Sequence, residues 1–145
     1  MTHKYLFLSA FLCLLVSCTI EPKPISYGND HCHFCEMTIV DKNHSSFYVT
    51  EKGRQYNFDA IECMINDLDK KERPNLAFIE VAYYGHPNQM IKAQNASYLI
   101  SEGIKSPMSA NLSAFNSLES AQKAQQEHGG KIYSWSEIKA YISKK

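Results

Sequence analysis

The sequence predicts an α+β fold of two repeated small ββαβ units with a short C-terminal helix, and three internal echoes carry that prediction. Ser46-Phe-Tyr-Val-Thr-Glu51 recurs as Ser97-Tyr-Leu-Ile-Ser-Glu102, each a β-rich run followed by a glycine, Gly53 or Gly103, that suits a hairpin turn. Phe58-Asp59-Ala-Ile-Glu62 recurs as Phe115-Asn116-Ser-Leu-Glu119. In both, an Asp or Asn stands three residues before Glu, the pattern of a capping box that satisfies the free amides of a helix start. Each helix pattern is then followed by a returning strand, Leu76 to Tyr83 in one half and Lys131 to Trp135 in the other.

The chain opens with a segment outside this plan. Lys4 precedes an apolar run from Tyr5 to Val16, too short to span a bilayer comfortably but suited to a signal-peptide core, so residues 1–17 are predicted to be removed. The run ends in Leu15-Val16-Ser17-Cys18, which resembles a bacterial lipobox and makes Cys18 the lipidation site. The mature protein is thus expected to be an exported lipoprotein held at a periplasm-facing membrane surface. The absence of acidic residues at Thr19-Ile20 favours the outer membrane. Residues 18–27, with Pro22 and Pro24 and no periodicity, read as an extended tether.

The first unit is placed at 28–90 and the second, with the terminal helix, at 91–145. The first helix is expected over Ala60–Asp69. There Ile61, Met64, Ile65 and Leu68 form one apolar stripe, and Cys63 lies off it, either under a second surface or facing the cysteine segment. The second helix is expected over Ser117–His128, closed by Gly129-Gly130, and Ser136 is expected to cap the last helix through Ile142. The hairpin of the second unit is longer than that of the first, and its extra residues centre on Ser106-Pro107-Met108-Ser109.

Composition limits the function. In 145 residues, 15 basic side chains balance 15 acidic ones and 44% are hydrophobic. Without a basic cluster there is no footprint for nucleic acid, and the length excludes a large multidomain enzyme. Of five cysteines, Cys13 leaves with the signal and Cys18 carries lipid. Cys32, Cys35 and Cys63 remain, an odd number for a disulfide framework in an oxidising compartment.

Those thiols belong to the densest constellation of the chain, Asp30-His31-Cys32-His33-Phe34-Cys35-Glu36-Met37. Thiolates and thioethers favour Cu(I), and in an extended segment Cys35 and Met37 would leave one face together. Two other classes fit the same residues. A zinc-stapled structural domain could take Cys32, Cys35, Cys63 and His31 or His33, and an exported thiol–disulfide redox protein could use Cys32-x-x-Cys35. Haem attachment is excluded because Glu36, not His, follows the second cysteine. His44, His86 and His128 read as surface or turn residues, and Lys70-Lys71 as a solvated helix end.

In order along the chain come a lipobox, Cys-x-x-Cys-x-Met, Phe-Asp-x-x-x-Cys-Met, Pro-Met before Ala-Phe, and His-Gly-Gly. This series resembles the NosL family of lipoprotein copper chaperones encoded with nitrous oxide reductase. The resemblance spans Cys18 to about Trp135. It implies a fold of two related ββαβ units and a non-enzymatic carrier that binds Cu(I) and delivers it to the apo reductase or its copper-delivery machinery. It also implies copper ligands at Cys35, Met37 and Met108; the reading of the residues themselves leaves Cys32, Cys63, His31 and His33 as additional metal or redox candidates. Two positions depart from the family pattern: Glu36 and Ser109 stand where glycine is usual.

Overall fold

The structure is a computed structural model that describes residues 19–70 and 75–144. The predicted signal peptide, Cys18 and Lys71 lie outside the described residues. In chain order the elements are β1 (Ser46–Thr50), β2 (Gln55–Phe58), α1 (Ile61–Asp69), β3 (Leu76–Ala82), β4 (Met90–Lys92), β5 (Ser97–Ile100), β6 (Leu112–Phe115), α2 (Leu118–His128), β7 (Lys131–Tyr133) and α3 (Trp135–Ile142). A single 3-10 turn, Ala93–Asn95, links β4 to β5.

The strands form two antiparallel sheets, ordered β2-β1-β3-β4 and β6-β5-β7. In each, the first strand of the unit is central, flanked by its hairpin partner and by the strand that returns after the helix. The repeat extends to register: Ser46 pairs with Phe58 in one sheet, and Ser97 pairs with Phe115 in the other. Strand β4, which the sequence reading did not separate, adds an edge to the first sheet only. Where β3 ends, Tyr83 bridges Ala114 of β6 and the Tyr84 N–H donates to the Ala114 carbonyl (2.9 Å), joining the sheets.

The core runs through both units. Phe47, Tyr48, Phe58, Ile61, Met64 and Ile65 pack in one cluster with Tyr98, Leu112, Ala114 and Ile138, and Leu68, the last residue of the predicted α1 stripe, packs half-buried against it. A smaller cluster of Leu99, Ile104, Phe115, Ala121 and Ala124 lies against α2. The Tyr48 hydroxyl donates to Asp67 Oδ2 (2.7 Å), a buried bond that ties α1 to the centre of its sheet.

Helix starts differ from the sequence expectation by one or two residues. α1 begins after Ala60 and has no side-chain cap at all, so Asp59 is not its cap. α2 is capped by Ser117, whose hydroxyl accepts from the Ser120 N–H (3.1 Å), rather than by Asn116. α3 is capped by Ser134 in a full capping box with Glu137, not by Ser136. The Gly129-Gly130 stop is as expected: Gly129 sits at φ 70° with its N–H on the Gln125 carbonyl. Gly130, at φ 100°, lies so close to β5 that a Cβ there would collide with the Ile100 carbonyl.

The tether is docked along much of its length. Ile20 packs against the core, Ile25 is buried, and the backbone of Lys23 exchanges two hydrogen bonds with the Gln55 side chain of β2 (both 2.8 Å). His44 also departs from expectation, since it is buried, not at the surface. Its Nδ1 lies 3.1 Å from Asp41 Oδ2 and its Nε2 3.2 Å from Ser113 Oγ on β6.

Candidate metal centre

The cysteine segment is a tight turn rather than the extended strand expected from the sequence. The Cys32 N–H donates to the Met37 carbonyl (2.8 Å), the Glu36 N–H donates to the Cys32 carbonyl (2.9 Å), and His31 pairs with Thr38. Closing so short a turn forces Glu36 to φ 65°. A side chain in that left-handed region costs roughly 1–2 kcal/mol that glycine would not incur. Ser109, next to Met108 in the long loop, stands at φ 63°. The backbone is thus strained both in the cysteine turn, at Glu36, and in the Met108 loop, at Ser109 and Asn111.

Strand β2 carries this turn. The His33 N–H donates to the Asn57 carbonyl (2.9 Å), and the Asn57 amide donates to Asp30 Oδ2 (2.9 Å). The chain then passes through Asp59 into the first turn of α1, where Cys63 faces back toward the turn. Of the two positions the sequence left open for Cys63, the structure takes the one facing the cysteine segment. One ligand atom each from Cys32, Cys35, Asp59 and Cys63 falls within 4.8 Å of all the others. Among the described residues this is the only such gathering of Cys, His, Asp and Glu.

The three thiols are held in different states. Cys63 donates a hydrogen bond to the Cys32 sulfur. That bond works against the cost of burial and is helped by the backbone N–H groups of Cys35, Asp59 and Phe34, bringing Cys32 down to about 6. The same bond, with burial and the neighbouring negative charges, pushes the Cys63 thiol far up. Burial foremost raises Cys35 to about 11, and its thiol donates to Asp59 Oδ1 at 3.4 Å. At neutral pH the cluster therefore holds one thiolate and two thiols, a preformed soft anion with further sulfurs in reach of the same ion. All three cysteines are free of disulfides.

Cys32 and Cys63 are buried and Cys35 is half-buried, so the cluster opens on the Cys35 side. The methionines are more exposed: Met37 is 53% exposed and Met108 38% exposed. Met108 faces a groove of about 280 Å³ whose walls include Phe34, Glu62 and Cys63, which brings the long loop of the second unit to the helix that carries the cluster. Lys70 lies over the Phe34 ring (4.3 Å to its centre) and so covers that wall as well as ending α1.

The histidines are not gathered with the sulfurs. His31 and His33 are exposed and line a different hollow with Arg54 and Tyr56, and His33 packs on Tyr56 with ring centres 4.6 Å apart. The carboxylate of Asp59 takes the place a histidine would hold in a four-ligand set. Sequence reasoning missed Asp59 because an Asp before a helix reads as a cap. Helical spacing does not link it to Cys63 either, because Asp59 precedes the extended Ala60 and stands outside the helix.

A family model described as NosL matches residues 24–142. No curated protein sequence matches the chain. Among solved structures, the crystal structure of the copper chaperone NosL from Shewanella denitrificans superposes with a TM-score of 0.70 at 19% identity, covering 82% of this chain and 96% of that one. The likeness establishes a common fold of two antiparallel sheets and helices in the same arrangement. With four-fifths of the chain inside the family model and the Cys-x-x-Cys-x-Met turn and Pro-Met loop both within it, the protein belongs to the NosL family.

Proposed function

We propose that this protein is a non-enzymatic carrier of Cu(I), anchored to a membrane through lipid on Cys18, that delivers copper to apo nitrous oxide reductase or its copper-delivery machinery. The observation that carries this reading is the gathering of three cysteine sulfurs at one point, with the Met108 thioether in the groove that Cys63 lines. Soft sulfur donors select Cu(I) over hard cations, and thioethers add little to zinc binding. Within that reading Cys35, Met37 and Met108 hold the ion, with Cys32 and Cys63 as the buried sulfurs behind it. A carrier has to release what it binds, so a partly open site suits it better than a closed tetrahedral cage. Membership of the NosL family and the shared fold with a copper chaperone support the same assignment.

Reduced protein lacking the signal is expected to bind about one Cu(I) and to keep it against an excess of Zn(II). Metal analysis after equilibration with both ions checks this. Tight stoichiometric zinc with indifferent copper would instead assign the cluster to a zinc-stapled domain, with Asp59 as the fourth ligand. Disulfide-isomerase activity that disappears in Cys32→Ser would assign it to redox chemistry.

The anchor has its own test. Cys18→Ala is expected to leave an unlipidated precursor, because the thiol is the acylation site. Metabolic labelling with a fatty acid and membrane fractionation read this out, and normal processing with retained membrane partition would reject the anchor.

A further inference from the structure

Glu62 is placed where a carboxylate is costly and does something specific. It stands on α1 immediately before Cys63 and is only 5% exposed. Its Oε1 accepts from the Ser106 hydroxyl (3.3 Å) and from the Ala110 N–H (3.3 Å), both in the long loop of the second unit. Its Oε2 is buried with no hydrogen-bond partner. Burying a half-satisfied carboxylate is unfavourable, so the fold alone gives no reason to prefer Glu to an apolar residue here. The loop, by contrast, has a need for it.

Around Met108 the chain closes on itself. The Ser109 N–H donates to the Ser106 carbonyl (3.1 Å) and the Asn111 N–H donates to the Ser106 hydroxyl (2.9 Å), leaving Met108 at the apex of the turn. Two residues of this short turn, Ser109 at φ 63° and Asn111 at φ 54°, occupy the left-handed region without being glycine. A conformation strained at two positions persists only when its surroundings hold it. The surroundings that reach the loop from the metal-bearing helix are the two hydrogen bonds to Glu62.

We infer that Glu62 is a positioning residue: its buried carboxylate latches the Ser106–Ala110 turn onto α1 and thereby holds Met108 at the groove beside Cys63, where it can bind copper. This inference rests on the reading of Met108 as a copper ligand. It makes Glu62 a link between the two units at the metal site, acting through its hydrogen bonds to the loop. Glu62→Gln keeps an acceptor for Ser106 and Ala110, whereas Glu62→Ala removes it.

Two measurements on the protein lacking its signal test the latch and the ligand separately. In copper-free protein, the ¹³C-methyl resonance of Met108 is expected to move toward its unfolded position and sharpen in Glu62→Ala, and to stay as in the parent in Glu62→Gln. In chelator competition, Glu62→Ala is expected to bind Cu(I) about tenfold more weakly, the scale seen when a residue that orients a ligand is lost. Glu62→Gln should titrate like the parent, and Glu62→Ala should add no further loss to Met108→Ala. An undisturbed Met108 methyl in Glu62→Ala, or a loss that persists undiminished in the Met108→Ala background, overturns the latch while leaving Met108 as ligand. If Met108→Ala itself titrates like the parent, the ligand reading falls and this inference falls with it. Ser106→Ala, which removes one donor and leaves the α1 residue in place, repeats the cycle should Glu62→Ala fold poorly, and its reduced loss should likewise vanish in the Met108→Ala background.

Discussion

Replacing Cys35 by serine is expected to weaken Cu(I) binding by about a hundredfold, the share of one thiolate in a sulfur site, and to change how binding depends on pH. Protons compete with copper for sulfur, so the sign follows from the state of each thiol before binding. Cys32, held down to about 6, is already a thiolate at neutrality and gives up no proton to the ion. Cys35, pushed up to about 11, is a thiol there and has to release one. If Cys35 is a ligand, affinity rises by about tenfold for each pH unit from neutrality toward 11. If Cys32 alone supplied the thiolate, affinity would rise only up to about pH 6 and then stay level. A second raised thiol, Cys63, would double the slope were it also bound. Chelator titrations across pH distinguish these cases, and a slope of one that survives in Cys35→Ser would remove Cys35 from the ligand set.

Met108→Ala is expected to weaken Cu(I) binding by about tenfold, and Met37→Ala by a similar amount, because each removes one thioether from an ion with few ligands. Copper bound only by the folded protein also raises its melting temperature. At free copper one hundred times the parent's dissociation constant, mass action adds about 2.7 kcal/mol to the parent but only about half that to a variant binding tenfold more weakly. For a domain of this size the difference amounts to roughly 3–6 °C. Met90, half-buried on β4 and away from the groove, is the appropriate control and should behave like the parent. Met64 is not a control, because it is fully buried and its truncation would cost about 2–5 kcal/mol through the cavity alone. Equal copper-induced shifts in parent and Met108→Ala would separate the second unit from the metal.

The parts of the fold that local pattern dictates were legible. The repeated β-rich runs foretold the central strands, the helical stripe foretold the buried face of α1, and Gly129-Gly130 foretold the end of α2. The site was legible in its sulfurs but not in its carboxylates. Asp59 and Glu62 look like the two halves of a capping box, and locally that is the cheapest use for them. The tertiary structure takes both away: Asp59 turns to Cys35 and Glu62 to Ser106, leaving α1 without a side-chain cap. The turn at Cys32 explains why, since it is carried by β2 through His33 and Asn57, a contact no local pattern announces. His44 was misplaced for the same reason, its partner Ser113 being 69 residues away.

The docked tether has a mechanical meaning. Ile20 already packs on the body, and Lys23 is bound to Gln55 of the same strand whose Asn57 holds the cysteine turn. With lipid on Cys18, the free leash is the step from Cys18 to Ile20, about 7 Å at full extension. A body on so short a leash would not tumble freely above the lipid headgroups and would lean on them. Were the chain so anchored, search for a recipient would take place in two dimensions, among proteins at the same surface, and the orientation needed for transfer would be partly set before the two met. Lengthening the segment before Ile20 would relax that constraint without touching a single copper ligand.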